Sequence, residues 1–271
     1  MFFFADLHND VITELSPRKF KRYIKRAHRN GVRTMLISVW TTKMQEPLQH
    51  VKYYRQVIDK ISTQTKLHLH IEDAWFLNQQ NVGEFIALNP YSVGMTWAED
   101  DRVDLEIVER LVKSGIIIDL AHLSERSFWK VVSVIKEEGE KRGKKIPLLC
   151  THTCFDEVNP HWRNLDREQV QKIVDSGGLI GLTLVGDFLN KMDFATMHDV
   201  YVHIKYFLDN FGTDGLGIGT DFFGTSNLPK GLKNYEHFKK LEKFLLSKGL
   251  SKTTIDKIFH INYCDFSRTM E

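Results

Sequence analysis

Short apolar runs alternate with longer stretches of helical periodicity along this chain of 271 residues. The first run, Phe2-Phe3-Phe4-Ala5, turns polar at Asp6-Leu7-His8-Asn9-Asp10. Further runs follow at Thr34 to Trp40 (TMLISVW), Lys66 to Glu72 (KLHLHIE), Tyr91 to Trp97 (YSVGMTW), Ile116 to His122 (IIIDLAH), Pro147 to Thr153 (PLLCTHT), Leu179 to Val185 (LIGLTLV) and Leu216 to Phe222 (LGIGTDF). Between them, apolar residues recur every three or four positions, the spacing of one helix face. This predicts helices over Val11 to Arg29, Gln45 to Ser62, Asp73 to Leu88 with an interruption near Gly83, Leu105 to Ser114, Glu125 to Lys141, Arg167 to Ser176 and Met197 to Phe211. Helices over Tyr235 to Ser247 and Lys252 to Phe259 close the chain. Gly31, Gly115 and Gly177 stand just past predicted helices, where a left-handed residue commonly ends the coil.

Apolar strands separated by helices argue for an α/β protein with a parallel sheet covered on its outer face. Eight such units in a chain of this length predict a (β/α)8 TIM barrel. The alternative is a doubly wound open sheet, which usually carries a glycine-rich phosphate loop after its first strand; here His8-Asn9-Asp10 stands in that place. With no internal repeat, linker or low-complexity stretch, one domain over residues 1–271 is expected.

A hydrophobic content of 42% suffices for a sizeable core, and a formal charge of +2 gives no whole-molecule attraction to nucleic acid. Val11 to Arg29 concentrates Arg18, Lys19, Lys21, Arg22, Lys25, Arg26 and Arg29 among Phe20, Tyr23, Ile24 and Ala27. That pattern reads as the solvated face of an amphipathic helix in preference to a nucleic-acid patch. Cys150, Cys154 and Cys264 are too few for a disulfide framework and point to a reducing compartment. The opening run lacks a basic leader, and no later apolar segment is long enough to span a bilayer. The expectation is a cytoplasmic protein with neither membrane nor nucleic-acid partner.

In such barrels the chemistry sits at the carboxyl ends of the strands. The polar residues there are His8 and Asp10, Glu72, Trp97, His122, His152 and Asp221. Residues two apart on a strand point the same way, so His8 and Asp10 are expected to share a face with Asp6. Singly, His122 or His152 reads as a hydrogen-bonded core histidine and Asp221 as a helix cap. Together, three imidazoles and three carboxylates on one rim are costly to bury, and a metal ion is the common remedy. Six such groups exceed the three or four that one zinc takes from protein. Two metals about 3.5–4 Å apart, sharing a bridging carboxylate and clamping a hydroxide, fit the count better. One carboxylate is then left to handle protons.

Asp6-Leu7-His8-Asn9-Asp10, Glu72, Asp119-Leu120-Ala121-His122, Thr151-His152-Thr153, Arg163-Asn164-Leu165 and Gly217-Ile218-Gly219-Thr220-Asp221-Phe222 occur here in one order. In that order the chain resembles the membrane (renal) dipeptidases, the M19 metallopeptidases. The resemblance implies a (β/α)8 barrel with two Zn²⁺ ions that hydrolyses dipeptides, including some with a D residue on the C-terminal side. It implies that His8 and Asp10 bind the first zinc, that His122 and His152 bind the second, and that Glu72 bridges them. It implies Asp221 as the catalytic acid/base and Arg163 as the anchor for the substrate's terminal carboxylate. It leaves a homodimer open.

The chain also departs from that family. Met95-Thr96-Trp97 has tryptophan where a histidine that stabilises the tetrahedral intermediate commonly stands, so Trp97 becomes a candidate substrate contact. Asp73-Ala74 follows the bridging glutamate in place of a glycine pair, and Asp221-Phe222-Phe223-Gly224 replaces Asp-Phe-Asp-Gly. His70 shares strand parity with Glu72, which predicts a supporting role beside the metals; Cys154 reads as an inert buried or loop thiol in preference to a soft ligand. The rival functions are a metal-dependent hydrolase of another small amide, a lactone or a phosphoester, and a catalytically impaired barrel that keeps the metal for binding.

Overall fold

Parallel strands β1 (Phe4–Asn9), β2 (Val32–Val39), β3 (Lys66–Ile71), β4 (Ser92–Gly94), β5 (Ile117–Asp119), β6 (Leu149–Thr153), β7 (Leu179–Thr183) and β8 (Leu216–Gly219) pair in sequence order and close into a barrel. Asp6 opposite Ile218 joins β1 to β8 and shuts the cylinder, which excludes the open-sheet alternative. The computed structural model describes residues 2–41, 45–95, 103–192 and 194–270.

Helices cover the outside, each burying one stripe. Pro17–Arg29 buries Phe20, Ile24 and Ala27 and leaves its cations in solvent, as its periodicity predicts. Phe4 of β1 lies 4.3 Å, centroid to centroid, from Phe238 at the start of helix Phe238–Ser247, within the large core between strands and helices. Ala5, Leu7, Leu36, Ile117, Leu149 and Leu179 form a second cluster. Residues of non-neighbouring strands such as β1 and β5 meet only inside the cylinder, so this cluster fills it. Tyr263 and Phe266 of the helix Asn262–Met270, which the periodicity did not predict, pack against it.

Several helices are shorter than their patterns. The stretch expected as one helix from Val11 divides into Val11–Glu14 and Pro17–Arg29, because proline is favoured at the first helical position and disrupts an interior one. Asp73 to Leu88 is helical only over Val82–Ala87. There the side chains of Asn78 and Asn81 accept the backbone N–H groups of Gln80 and Asn78, and Asn81 Nδ2 donates to the Phe76 carbonyl. Such local bonds compete with the helix ladder. Near the end of the chain, Lys252–Asp256 runs into a π-helical turn, Lys257–Ile261.

The strand ladders also stop early. Glu72, His122 and Asp221 lie one to three residues past the ends of β3, β5 and β8. His122 and Asp221 have positive φ, 65° and 55°, conformations that L residues adopt at a cost and that collect at functional sites. No described helix is long and apolar enough to cross a membrane.

Candidate metal centre

At the carboxyl end of the barrel, two donor sets meet on one carboxylate. His8, Asp10 and Glu72 form one, and Glu72, His122 and His152 form the other. Glu72 turns Oε2 towards His8 Nε2 at 3.6 Å and Oε1 towards His122 Nε2 at 3.1 Å. His8 Nε2 also faces Asp10 Oδ2 at 3.5 Å and Asp221 Oδ1 at 4.0 Å. His122 Nε2 and His152 Nε2 approach to 2.8 Å. Six of the eight residues singled out by sequence are thus in one cluster, and Arg163 joins it with Nη2 3.3 Å from His152 Nε2. Trp97, the eighth, lies outside the described residues.

The burial of these groups makes their charges interdependent. Burial opposes the Glu72 carboxylate, but the His122 and His8 imidazoles that face its two oxygens outweigh it and hold the acid well below its ordinary range. Burial likewise opposes the charged form of His8, yet the neighbouring Asp10 charge drives it well above 6.5. Asp10 and Asp221 are pushed up by burial; the charge of Glu72 adds to the shift of Asp10, and that of Asp10 to the shift of Asp221. His122 is lowered to about 4 by burial and by the Arg163 charge. Within this crowded site His8 Nε2 and both Asp10 oxygens are buried without a hydrogen-bond partner among the described residues. Imidazole nitrogens and carboxylate oxygens stranded in this way are a donor set that divalent zinc accepts.

The profile of the membrane dipeptidases, peptidase family M19, matches residues 103–271. The chain belongs to that family. The matched stretch includes His122, His152, Arg163 and Asp221, whereas His8, Asp10 and Glu72 precede it. The chain is similar to dipeptidase ataJ of Aspergillus terreus, 31% identical over 150 residues, which are 55% of this chain and 34% of the relative. It is also similar to dipeptidase tcpJ of Claviceps purpurea, 25% identical over 61% of this chain and 37% of the relative. The matches thus span about a third of the length of these curated relatives. Among solved structures, a Rhodobacter sphaeroides metallopeptidase liganded with a phosphinate mimic of the dipeptide L-Ala-D-Ala superposes with a TM-score of 0.81 at 18% identity, over 99% of both chains. An amidohydrolase from Pseudomonas aeruginosa gives 0.80 at 19% identity, over 99% of this chain and 96% of the other. At those identities the likeness is one of fold.

In this M19 chain a cavity of about 420 Å³ opens above the cluster. Asp10, Glu72 and Asp221 line its floor, and Trp40, Val185, Phe188 and Phe223 its walls. Gly224 packs so closely on the carboxylates of Asp221 and Asp10 that a Cβ would overlap them. Arg163 is buried, lies 5.3 Å over the Phe188 ring and pairs with no carboxylate among the described residues.

One expectation needs correction. Asp6 does not join His8 and Asp10. The pairing of β1 with β2 shifts register between Asp6 and Asn9, which breaks the two-residue alternation, and Asp6 instead accepts hydrogen bonds from Asn9, Thr220 and Tyr235. Cys154 is buried, in keeping with the inert-thiol reading; it donates weakly to the Thr183 carbonyl, outside both donor sets. His70 does lie beside the centre, with Nε2 3.4 Å from Asp119 Oδ2 and Nδ1 2.9 Å from Ser92 Oγ. Sequence reasoning missed the residues beneath the donors: Asp119, Thr151, Thr220 and Tyr235. The first three stand inside the quoted motifs, next to or near the candidate ligands; Tyr235 reaches Asp6 from a distant helical turn and gives no local signal.

Proposed function

We propose that the chain is a zinc-dependent dipeptidase that hydrolyses the amide bond of a dipeptide. The observation that carries the reading is the split carboxylate of Glu72, one oxygen towards each histidine set. On this reading His8 and Asp10 hold one zinc ion, His122 and His152 hold a second, and Glu72 bridges them. When bound, such a pair supplies Lewis acidity and brings the pKa of water close to neutrality.

The remaining work falls to the chain's own groups. Asp221, beside the His8 set and raised by burial, accepts a proton at its carboxylate and returns it to the leaving amine nitrogen. Arg163, a buried guanidinium without a carboxylate partner among the described residues, binds the terminal carboxylate of the dipeptide; its planar fork matches that group. Trp40, Val185, Phe188 and Phe223 receive apolar parts of the substrate and limit water around the reacting bond. The free thiols of Cys150, Cys154 and Cys264 support a reducing, cytoplasmic setting.

The test combines metal analysis of purified protein with a panel of L,L and L,D dipeptides. The expected result is two equivalents of zinc and hydrolysis that a chelator abolishes and Zn²⁺ restores. Fully loaded protein that cleaves no member of the panel would end the peptidase reading. Cleavage confined to an uncharged amide, a lactone or a phosphoester would move the chain to another hydrolase class on the same barrel.

A further inference from the structure

We propose that the Thr151 hydroxyl, held by Asp119, selects the ring tautomer of His8 and His152 together and so prepares both halves of the metal centre at once. The proposal rests on the reading of these histidines as ligands of different cations. Thr151 Oγ1 lies 2.6 Å from Asp119 Oδ2, 2.9 Å from His152 Nδ1 and 3.2 Å from His8 Nδ1. A hydroxyl has one hydrogen to donate and two lone pairs to accept with. The carboxylate at 2.6 Å takes the hydrogen, so both lone pairs are left to receive N–H groups. His8 and His152 must then each carry hydrogen on Nδ1 and present a bare Nε2.

The two Nε2 atoms are those that face the donor sets around Glu72. An independent contact agrees for His152: Arg163 Nη2 lies 3.3 Å from its Nε2, and a guanidinium only donates. Asp119 is fixed in turn. Its Oδ1 accepts the backbone N–H of Thr151 at 2.8 Å and of Ala121 at 3.1 Å. The grouping of His8, Asp119 and His152 into a third potential metal site is therefore filled by the hydroxyl at its middle. Thr151 and Asp119 are positioning residues that act through the two rings.

The variants separate this role from mere packing. Thr151→Val keeps the shape and removes the acceptor; Thr151→Ser keeps the hydroxyl. In Asp119→Asn, an amide that keeps its oxygen on the two backbone N–H groups turns NH₂ towards Thr151. The hydroxyl hydrogen must then point at a ring nitrogen and force that ring to the other tautomer. The ring nitrogens are read by ¹⁵N NMR of the metal-free protein, at a pH where both rings are neutral, and zinc binding by calorimetry. Wild type should show Nδ1–H on both rings. Thr151→Val should lose that preference and bind both zinc ions about 10–100-fold more weakly. Thr151→Ser should restore both readouts, and Asp119→Asn should move one ring to Nε2–H.

With both rings neutral, hydrogen on Nε2 in place of Nδ1 on either ring of the wild type would overturn the proposal whether or not any variant folds. So would a Thr151→Val protein that weakens one cation alone or keeps both tautomers. Wild type with the expected tautomers but no zinc binding would refute the metal reading and leave the tautomer assignment standing.

Discussion

Asp6 and Thr220, at opposite ends of the chain, are locked together where β1 meets β8. The Asp6 carboxylate accepts the Thr220 backbone N–H at 2.9 Å and its hydroxyl at 2.7 Å. The same arrangement recurs as Asp119 and Thr151, at 2.8 and 2.6 Å. Each threonine immediately precedes a candidate site residue, Asp221 or His152. Asp6 also accepts from Asn9 Nδ2 and from the Tyr235 hydroxyl, all in a fully buried environment. Asp6→Ala would leave these donors without an acceptor. The expected loss is about 3 kcal/mol of unfolding free energy, read from urea denaturation. A loss well under 1 kcal/mol would show that water or repacking replaces the carboxylate.

Asp221 sits beside the donor sets rather than within them. Its left-handed backbone suits asparagine, which tolerates that region, so Asp221→Asn should fold normally. The amide cannot accept and return a proton. Turnover should fall by about 10²–10⁴-fold, the usual range for a lost general acid/base, while zinc content stays at the wild-type level. Loss of one zinc instead would make Asp221 a ligand.

The barrel was legible because apolar runs and helical periodicity are local signals, and their alternation leaves few topologies. The rim cluster was legible because metal chemistry draws on few residue types and the fold dictates which ends of the strands meet. Orientation was not. The shift in β1 pairing that turns Asp6 away from His8 depends on the partner strand, and the positive φ of His122 and Asp221 leaves no mark in composition. The Asp73 to Leu88 pattern has helical spacing, yet Asn78 and Asn81 supply competing bonds that periodicity does not count. Hydrogen bonds such as Tyr235 to Asp6 link residues with no shared local pattern.

Arg163 provides the sharpest test of substrate class. A buried guanidinium that pairs with the dipeptide's terminal carboxylate should matter little to a substrate whose terminus is an amide. Arg163→Ala is expected to raise KM for dipeptides about 100-fold, in line with the loss of charge-assisted hydrogen bonds in a buried site, and to change KM for the matching amides only a few-fold. Arg163→Lys should fall between, since it keeps the charge without the planar fork. Equal effects on both substrate series would remove Arg163 from the anchor role.

The metal-free protein should lose stability with rising pH in a range where zinc offsets that loss. His8 and Asp221 both bind protons more tightly in the folded chain than at their ordinary values of 6.5 and 3.8. A raised folded pKa means that the native state holds more protons than the unfolded state. Stability from such a group is complete below the unfolded pKa and is lost as pH rises through the folded one. Glu72 has the reverse sign, but its window lies below 4.5 and does not reach neutrality. Without metal, the melting temperature should therefore decline as pH is raised above about 6.5, the ordinary histidine value. Zinc must displace the His8 proton to bind, so its affinity, and the stabilisation that follows from it, should grow over the same range. Melting curves with and without zinc at pH values from 6 to 9 should diverge steadily. Parallel curves would mean that His8 carries no extra proton in the folded metal-free chain.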